Sequence, residues 1–385
     1  MTTRTKASIY IHFPFCVKKC LYCSFISFDD RLFQVDEYVN LLLREMRLFR
    51  GDVDDSFSVE TLYFGGGTPS LMDARQAGKV IESAAGLFDL EPDAEITIEA
   101  NPGTLTEDKL AGYRSCGINR LSLGVQSFDD SMLKSLGRVH SAAQAVDSFR
   151  AARERGLENI GIDLINSLPG QTKAMWEDDL HSAVALGPEH ISVYGLTIEE
   201  GTPLAAIEKC GALPLPDEEE SVSMFESSER ILRQSGYEHY EISNYALPGR
   251  RSRHNQVYWQ RGNYLGFGCG AHSFLREPEF GVRWRNPDNI EEYMRSVRDG
   301  RPCREEKQRI GRREAMAEKL FLGLRMLDGV DLEQFREEFG AGFDEIYYEK
   351  CLALFESGML ETFGGRLRIP ERAMLVSNRI FEKFL

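Results

Sequence analysis

Between residues 8 and 194 the chain alternates short runs suited to strands with longer amphipathic runs suited to helices. The strand candidates are Ser8–Phe13, Glu60–Phe64, Glu95–Ala100, Arg120–Val125, Ile160–Ile165 and His190–Tyr194; the helical patterns are Val35–Phe49, Ala74–Leu87, Ser141–Arg155 and Thr172–Leu186. Consecutive parallel strands need a crossover of helix length, so the alternation predicts a parallel α/β sheet, either open or curled into a partial barrel. Both forms place their ligand sites at the carboxyl ends of the strands. The unusual residues fall there: a cysteine loop after the first strand, Gly65-Gly66-Gly67-Thr68-Pro69 after the second, Glu99-Ala-Asn-Pro, Gly124-Val-Gln126-Ser, and Asp163 with Leu168-Pro-Gly170. Five loops on one rim predict a single site.

The cysteine loop carries the chemistry. Cys16, Cys20 and Cys23 stand in a CxxxCxxC spacing. Thiolates select zinc, copper(I) or iron–sulfur clusters, and a closed zinc site wants four ligands where this loop offers three. A [4Fe–4S] cluster with one open iron fits better than a zinc knuckle completed by a distant residue or by nearby His12. Phe13, Phe15, Tyr22 and Phe25 are expected to wall it from water. The other cysteines, Cys116, Cys210, Cys269, Cys303 and Cys351, are scattered and expected to be buried or inert. Three glycines after the second strand let backbone approach a ligand and aim N–H groups at it.

Composition narrows the partners. A formal charge of −15 disfavours nucleic acid, whose binding needs a surface of Lys and Arg. No apolar run approaches the roughly 18 residues of a membrane span, and no signal region opens the chain, so a cytoplasmic location is expected. Past residue 200 the alternation ends. Residues 201–300 read as an α+β extension, and 311–385 as helices, a hairpin at Leu360–Ile369 and a closing helix, the order of a winged helix. From Gly311 onward 11 Lys and Arg face 14 Asp and Glu, which argues against DNA and for a lid or docking module.

The cysteine spacing after the first strand, with GGGTP after the second, resembles the radical S-adenosylmethionine superfamily over residues 8 to about 200. The resemblance implies a partial (β/α)6 barrel over 1–200, a [4Fe–4S] cluster on the three cysteines, and S-adenosylmethionine against Tyr10, Tyr22, Gly66, Gly67, Thr68, Glu99, Gln126, Arg138 and Asp163. A longer likeness is to the oxygen-independent coproporphyrinogen oxidase group, through Leu121–Phe128, Gly161–Ile165, Leu168–Thr172 and Tyr240–Asn244. The oxidases carry a fourth cysteine where this chain has Phe25, and an amino-terminal extension where it has seven residues. Both departures argue against coproporphyrinogen decarboxylation.

His254-Asn255-Gln-Val-Tyr258-Trp259 instead matches the HNxxYW signature of the group's haem-chaperone branch, which implies haem binding at His254, Asn255, Tyr258 and Trp259. The residues support this independently. A neutral imidazole ligates haem iron, aromatic rings lie against porphyrin, and Ile242–Arg276 holds Arg250, Arg251, Arg253, Arg261 and Arg276 without one Asp or Glu, a patch suited to propionates. His272, in Gly266-Phe-Gly-Cys-Gly-Ala-His272-Ser, is a competing axial ligand. The implied partners are haem and haem-accepting proteins, respiratory ones among them, with transient membrane contact and a homodimer as further expectations. A second reading keeps radical chemistry on a tetrapyrrole, by methyl transfer or oxidase-like decarboxylation, with the cofactor supplying the reactivity.

Overall fold

The computed structural model describes residues 4–53 and 56–385. Six strands, β1 (Thr5–Phe13), β2 (Phe57–Gly66), β3 (Leu90–Ala100), β4 (Arg120–Gln126), β5 (Ile160–Asn166) and β6 (His190–Gly195), lie side by side in sequence order and run parallel. Helices α1 (Val35–Gly51), α2 (Ala74–Phe88), α3 (Glu107–Ser115), α4 (Asp130–Ser135), α5 (Ala142–Glu154) and α6 (Lys173–Leu186) make the crossovers. Their starts are written locally. Asp73 and Ser141 form capping boxes with Gln76 and Gln144, and Thr106 and Thr172 cap α3 and α6. The strands read as apolar runs because both faces are covered; in β5 only Asp163 is less than buried. α3 and α4 escape the sequence pattern because α3 buries only Leu110 and Tyr113 and α4 has six residues.

The sheet continues past residue 200. After α7 (Pro203–Lys209) and α8 (Glu218–Gln234), β8 (Asn244–Ala246) adds antiparallel to β6, and β7 (Glu238–Glu241) adds antiparallel to β8 at the edge. Helix α9 (Arg253–Trp259) follows, and then β9 (Tyr264–Phe267) pairs parallel with β1 on its other side. β10 (His272–Leu275), β11 (Val282–Arg285) and, after α10 (Ile290–Arg298), β12 (Glu305–Arg309) extend that edge antiparallel. The α+β stretch 201–300 shares one twelve-stranded sheet and one core with the βα units, Phe267, Trp284 and Tyr293 packing with Ile9, Phe49 and Phe88.

The last stretch has its own core. α11 (Arg312–Gly323), β13 (Val330–Asp331), α12 (Leu332–Phe339), α13 (Phe343–Ile346), α14 (Tyr348–Glu356), the hairpin β14 (Glu361–Phe363) and β15 (Arg366–Arg368), and α15 (Ser377–Phe381) enclose Leu320, Phe335, Phe339, Leu367 and Ile380. The hairpin turns on Gly364 and Gly365, both at positive φ (57° and 77°), which is where glycine is needed. Cys269, Cys303 and Cys351 are buried as expected, but Cys210 is exposed, because it lies just past the end of the short surface helix α7.

Candidate cluster and cofactor site

The cysteine loop begins where β1 stops. The Phe28 N–H donates to the Pro14 carbonyl (2.7 Å) and the Cys16 N–H to the Phe28 carbonyl (3.0 Å), so residues 16–27 bulge out as a closed loop. Cys16 is buried, and Cys20 and Cys23 are half-buried. Burial pushes the Cys16 and Cys23 thiols up. Thr68 Oγ1 donates to Cys16 Sγ (3.5 Å) and Arg138 Nη1 to Cys20 Sγ (3.4 Å), bonds that favour thiolates. His12 holds the loop from below, with Nε2 2.8 Å from the Ile26 carbonyl and Nδ1 3.1 Å from Tyr10 Oη. With both nitrogens engaged and the ring buried, His12 is no fourth metal ligand.

A cavity of about 390 Å³ opens over this loop, and all three cysteines line it. Tyr22, Gly66, Gly67, Thr68, Glu99, Gln126, Arg138 and Asp163 line it too. The loops after all six parallel strands contribute, including the end of β6, Tyr194 to Glu199, which carries no motif in the sequence. Asn101 and Ser122, to which the sequence motifs assign no role, line it as well. Asn101 accepts from Arg138 Nη2 (2.7 Å) and Ser122 donates to Asp163 (2.9 Å).

Three expectations need correction. Tyr10 lies apart from the cavity lining: its hydroxyl meets His12, and its ring stacks on Tyr63 (6.2 Å) inside the sheet's concave face. The Gly-rich loop does not offer free N–H groups. Gly66 N–H donates to Glu99 (3.1 Å), Gly67 N–H to the Phe13 carbonyl and Thr68 N–H to the Phe15 carbonyl (2.8 Å each). Its glycines serve close packing, since a Cβ on Gly67 would stand 2.7 Å from the Phe15 carbonyl oxygen and one on Gly66 2.7 Å from the His12 ring. Nor is the aromatic wall complete: Phe13 and Phe15 pack on Tyr38 in the core, while Phe25 is 67% exposed at the cavity mouth.

The charges inside are poised for a ligand. Arg138 has no ion pair among the described residues; its Nη2 also donates to the Gly124 carbonyl (2.6 Å), and its buried Nε has no partner. Glu99 accepts from Tyr63 Oη (2.8 Å) and Gly66, yet burial pushes its carboxyl up to about 7. Burial raises Asp163 as well. Gln126 holds a positive φ of 70°, a strained conformation of the kind kept at functional sites.

The HNxxYW residues lie at the other end of the strands. Inward-facing residues of β1, β2 and β3 stack in layers: Ser8, Thr61 and Glu95 lowest, then Tyr10, Tyr63 and Thr97, then His12, Gly65 and Glu99. Helix α9 caps the lowest layer, with the N–H groups of Arg253 and His254 donating to Glu95 (3.2 and 3.0 Å). His254 is buried; its Nδ1 is 2.6 Å from Thr61 Oγ1 and its Nε2 2.9 Å from Tyr258 Oη. As Thr61 donates to Ser8, the Nδ1 proton goes to Thr61, and the Nε2 lone pair, the one an iron would need, accepts from Tyr258. Burial lowers this imidazole to about 3, so it is neutral. Trp259 sits under the Arg325 guanidinium (5.0 Å), and Asn255 donates its N–H to Ser252.

In this arrangement the motif presents no free axial ligand and no exposed porphyrin platform. Its arginines do not form a patch either. Arg251 pairs with Asp328, Arg261 with Glu318, Arg276 with Glu338, and Arg253 donates to the Asp93 carbonyl, because the acidic residues missing locally arrive from distant segments. Of the seven histidines only His181 and His272 are exposed.

Comparison with known proteins accords with this geometry. Residues 10–183 match the radical SAM superfamily and residues 310–376 the HemN C-terminal domain. Heme chaperone HemW of Lactococcus lactis is 35% identical over 98% of this chain and 97% of its own length, and that of Bacillus subtilis 35% identical over 98% and 99%. The chain belongs to the HemW branch of the radical SAM superfamily. Coproporphyrinogen III oxidase (HemN) from Escherichia coli superposes with a TM-score of 0.85 over 99% of this chain and 90% of its own, at 23% identity, which speaks for the shared fold.

Membership implies a [4Fe–4S] cluster and S-adenosylmethionine, and the residues fit both. Three free thiols border one cavity with an unspent guanidinium Nε and two half-buried carboxylates beside them. No three Cys, His, Asp or Glu side chains gather around a single point among the described residues, the arrangement a zinc knuckle needs; a cluster spreads its thiolates over separate irons.

Proposed function

We propose that this protein is a haem chaperone: it carries a [4Fe–4S] cluster on Cys16, Cys20 and Cys23, holds S-adenosylmethionine in the cavity above, and binds haem and passes it to acceptor proteins. The observation that carries the reading is the full-length likeness to proteins named heme chaperones. Phe25, exposed at the mouth where the oxidases have a thiol, agrees with it. When bound, the cluster supplies an electron to the cofactor's sulfonium. The chain's own residues orient: Arg138 takes the cofactor's carboxylate, Glu99 and Asp163 accept from its ammonium or ribose hydroxyls, and the loop keeps Cys16 from water.

An imidazole is one common axial ligand for haem iron, and the motif offers one. His254 becomes available when α9 leaves the lowest layer and Tyr258 releases Nε2; His272 is available as it stands, exposed and held neutral by partial burial and by Arg285 and Arg283. Hemin titrated into anaerobically reconstituted protein should give a shifted Soret band that His254→Ala or His272→Ala weakens. An unchanged spectrum in wild type refutes the haem assignment, and loss in one variant names the ligand.

The enzyme-like cavity favours one rival, a radical enzyme acting on a tetrapyrrole. Dithionite, S-adenosylmethionine and each porphyrin in turn, followed by chromatography, test it. Porphyrin-dependent 5′-deoxyadenosine together with an altered porphyrin would establish the rival and displace the chaperone.

A further inference from the structure

The lowest layer and the cavity are in contact through two side chains. The His254 ring stacks on Tyr63 at 4.8 Å with 22° between planes, and Tyr63 Oη donates to Glu99 at the cavity wall (2.8 Å), which in turn receives the Gly66 N–H. The same ring lies 6.4 Å from Tyr10, whose hydroxyl meets His12 Nδ1, and the far nitrogen of His12 holds the Ile26 carbonyl of the cysteine loop. One imidazole thus underlies two branches, one to the cofactor wall and one to the cluster loop. His254 and His12 are buried and the other members half-buried, so the two branches are packed against one another.

We propose that His254 is a positioning residue for the cluster and cofactor site: by supporting Tyr63 and Tyr10 from below it sets Glu99 and the cysteine loop, so that seating of α9 and binding of S-adenosylmethionine favour each other. The support is steric and directional. The Tyr63 ring rests against both Tyr10 (6.2 Å) and His254 (4.8 Å), and a rotated Tyr63 would leave Glu99 one donor short. Thermodynamic linkage makes the effect reciprocal: whatever withdraws α9 weakens the cofactor, and bound cofactor holds α9 in place. The positioning role stands without haem. Its consequence for haem, that cofactor-loaded protein resists opening at His254, rests on the proposed function.

The test uses full-length, anaerobically reconstituted protein without haem. Calorimetry of S-adenosylmethionine binding and EPR of the reduced cluster, with and without cofactor, are read for wild type, His254→Ala, His254→Phe and Tyr63→Phe. His254→Ala should weaken cofactor binding about fivefold or more and alter the cofactor-induced EPR change. His254→Phe keeps a ring on Tyr63 without the hydrogen bonds and should restore most of the affinity. Tyr63→Phe removes a bond that holds the Glu99 carboxyl down, so the acid limb of the binding profile should move to higher pH. Wild-type affinity and EPR in a folded, cluster-loaded His254→Ala protein overturn the proposal. Should that variant fail to hold its cluster, an unshifted pH profile and unchanged affinity in Tyr63→Phe overturn it alone. Absent hemin binding in wild type refutes the chaperone reading and leaves this result untouched.

Discussion

The two ends of the parallel strands satisfy their polar groups in opposite ways. At the cavity, Arg138 Nε has no partner, the thiols are free and burial raises the carboxyls of Glu99 and Asp163. At the amino-terminal ends, Glu95 receives two N–H groups of α9 and His254 has both nitrogens bonded. Unpartnered buried groups cost free energy, so the first end is built to be completed by something it binds. The second is complete already and must be opened before it can bind anything. Among the described residues the exceptions at this end include the partnerless buried Nδ1 of His190, at the start of β6, and Nε1 of Trp259, where α9 meets the carboxyl-terminal core.

That contrast can be broken most decisively at the cavity. Replacing Cys16, Cys20 or Cys23 by Ala should abolish the cluster's broad visible absorption while far-ultraviolet circular dichroism stays native; retention of the cluster would show that the ligands lie elsewhere. Next in size, Arg138→Gln should weaken S-adenosylmethionine by about 10- to 100-fold in calorimetry, the worth of a charge-assisted hydrogen bond of ~1.5–3 kcal/mol. Lys at this position should recover part of the loss, as it keeps the charge without the fork.

At the other end, Glu95→Ala should unseat α9 at a cost of about 1–2 kcal/mol, an N-terminal cap's worth. Hydrogen exchange over residues 253–259 should then accelerate most, and the cysteine loop, which His254 supports through Tyr10 and His12, by a smaller factor in apo protein. Equal acceleration at both ends would mean they open as one unit. A further effect concerns pH. Glu99 titrates near 7 when folded and near the ordinary carboxylate value when unfolded, so the folded state binds more protons between the two. Its contribution is full below about 4.5 and is lost as pH rises through about 7. Glu99→Gln should therefore flatten that part of the stability profile by on the order of 1–3 kcal/mol in urea melts of apo protein. An unaltered slope would place the titration on Glu45 or Glu241, which burial also raises to about 7.

Much of the cavity was legible in the residue order. Strand ends in a parallel sheet share one rim, so the cysteine, glycine, Glu99, Gln126 and Asp163 loops had to meet, and eight of the nine residues expected at the cofactor line the cavity. Tyr10 was misplaced because alternation along a strand tells which face a residue takes and not its height in the stack of layers. The sheet beyond residue 200 was hidden for another reason. β9 has four residues, two of them Gly and Leu, and its partner β1 is more than 250 residues away, so no local period announces the pairing.

The order of residues alone determined the alternating α/β architecture, the thiol triad and the rim on which it sits, because each follows from local periodicity and spacing. Only the tertiary structure decided what the HNxxYW helix does at rest. Sequence offered an imidazole, two aromatic rings and five arginines as a haem surface; folding brings Thr61 and Tyr258 to the imidazole and Asp328, Glu318 and Glu338 to three of the arginines. Whether a polar side chain is free or spent depends on partners that lie far away in the chain, and these become neighbours only when the sheet closes around α9.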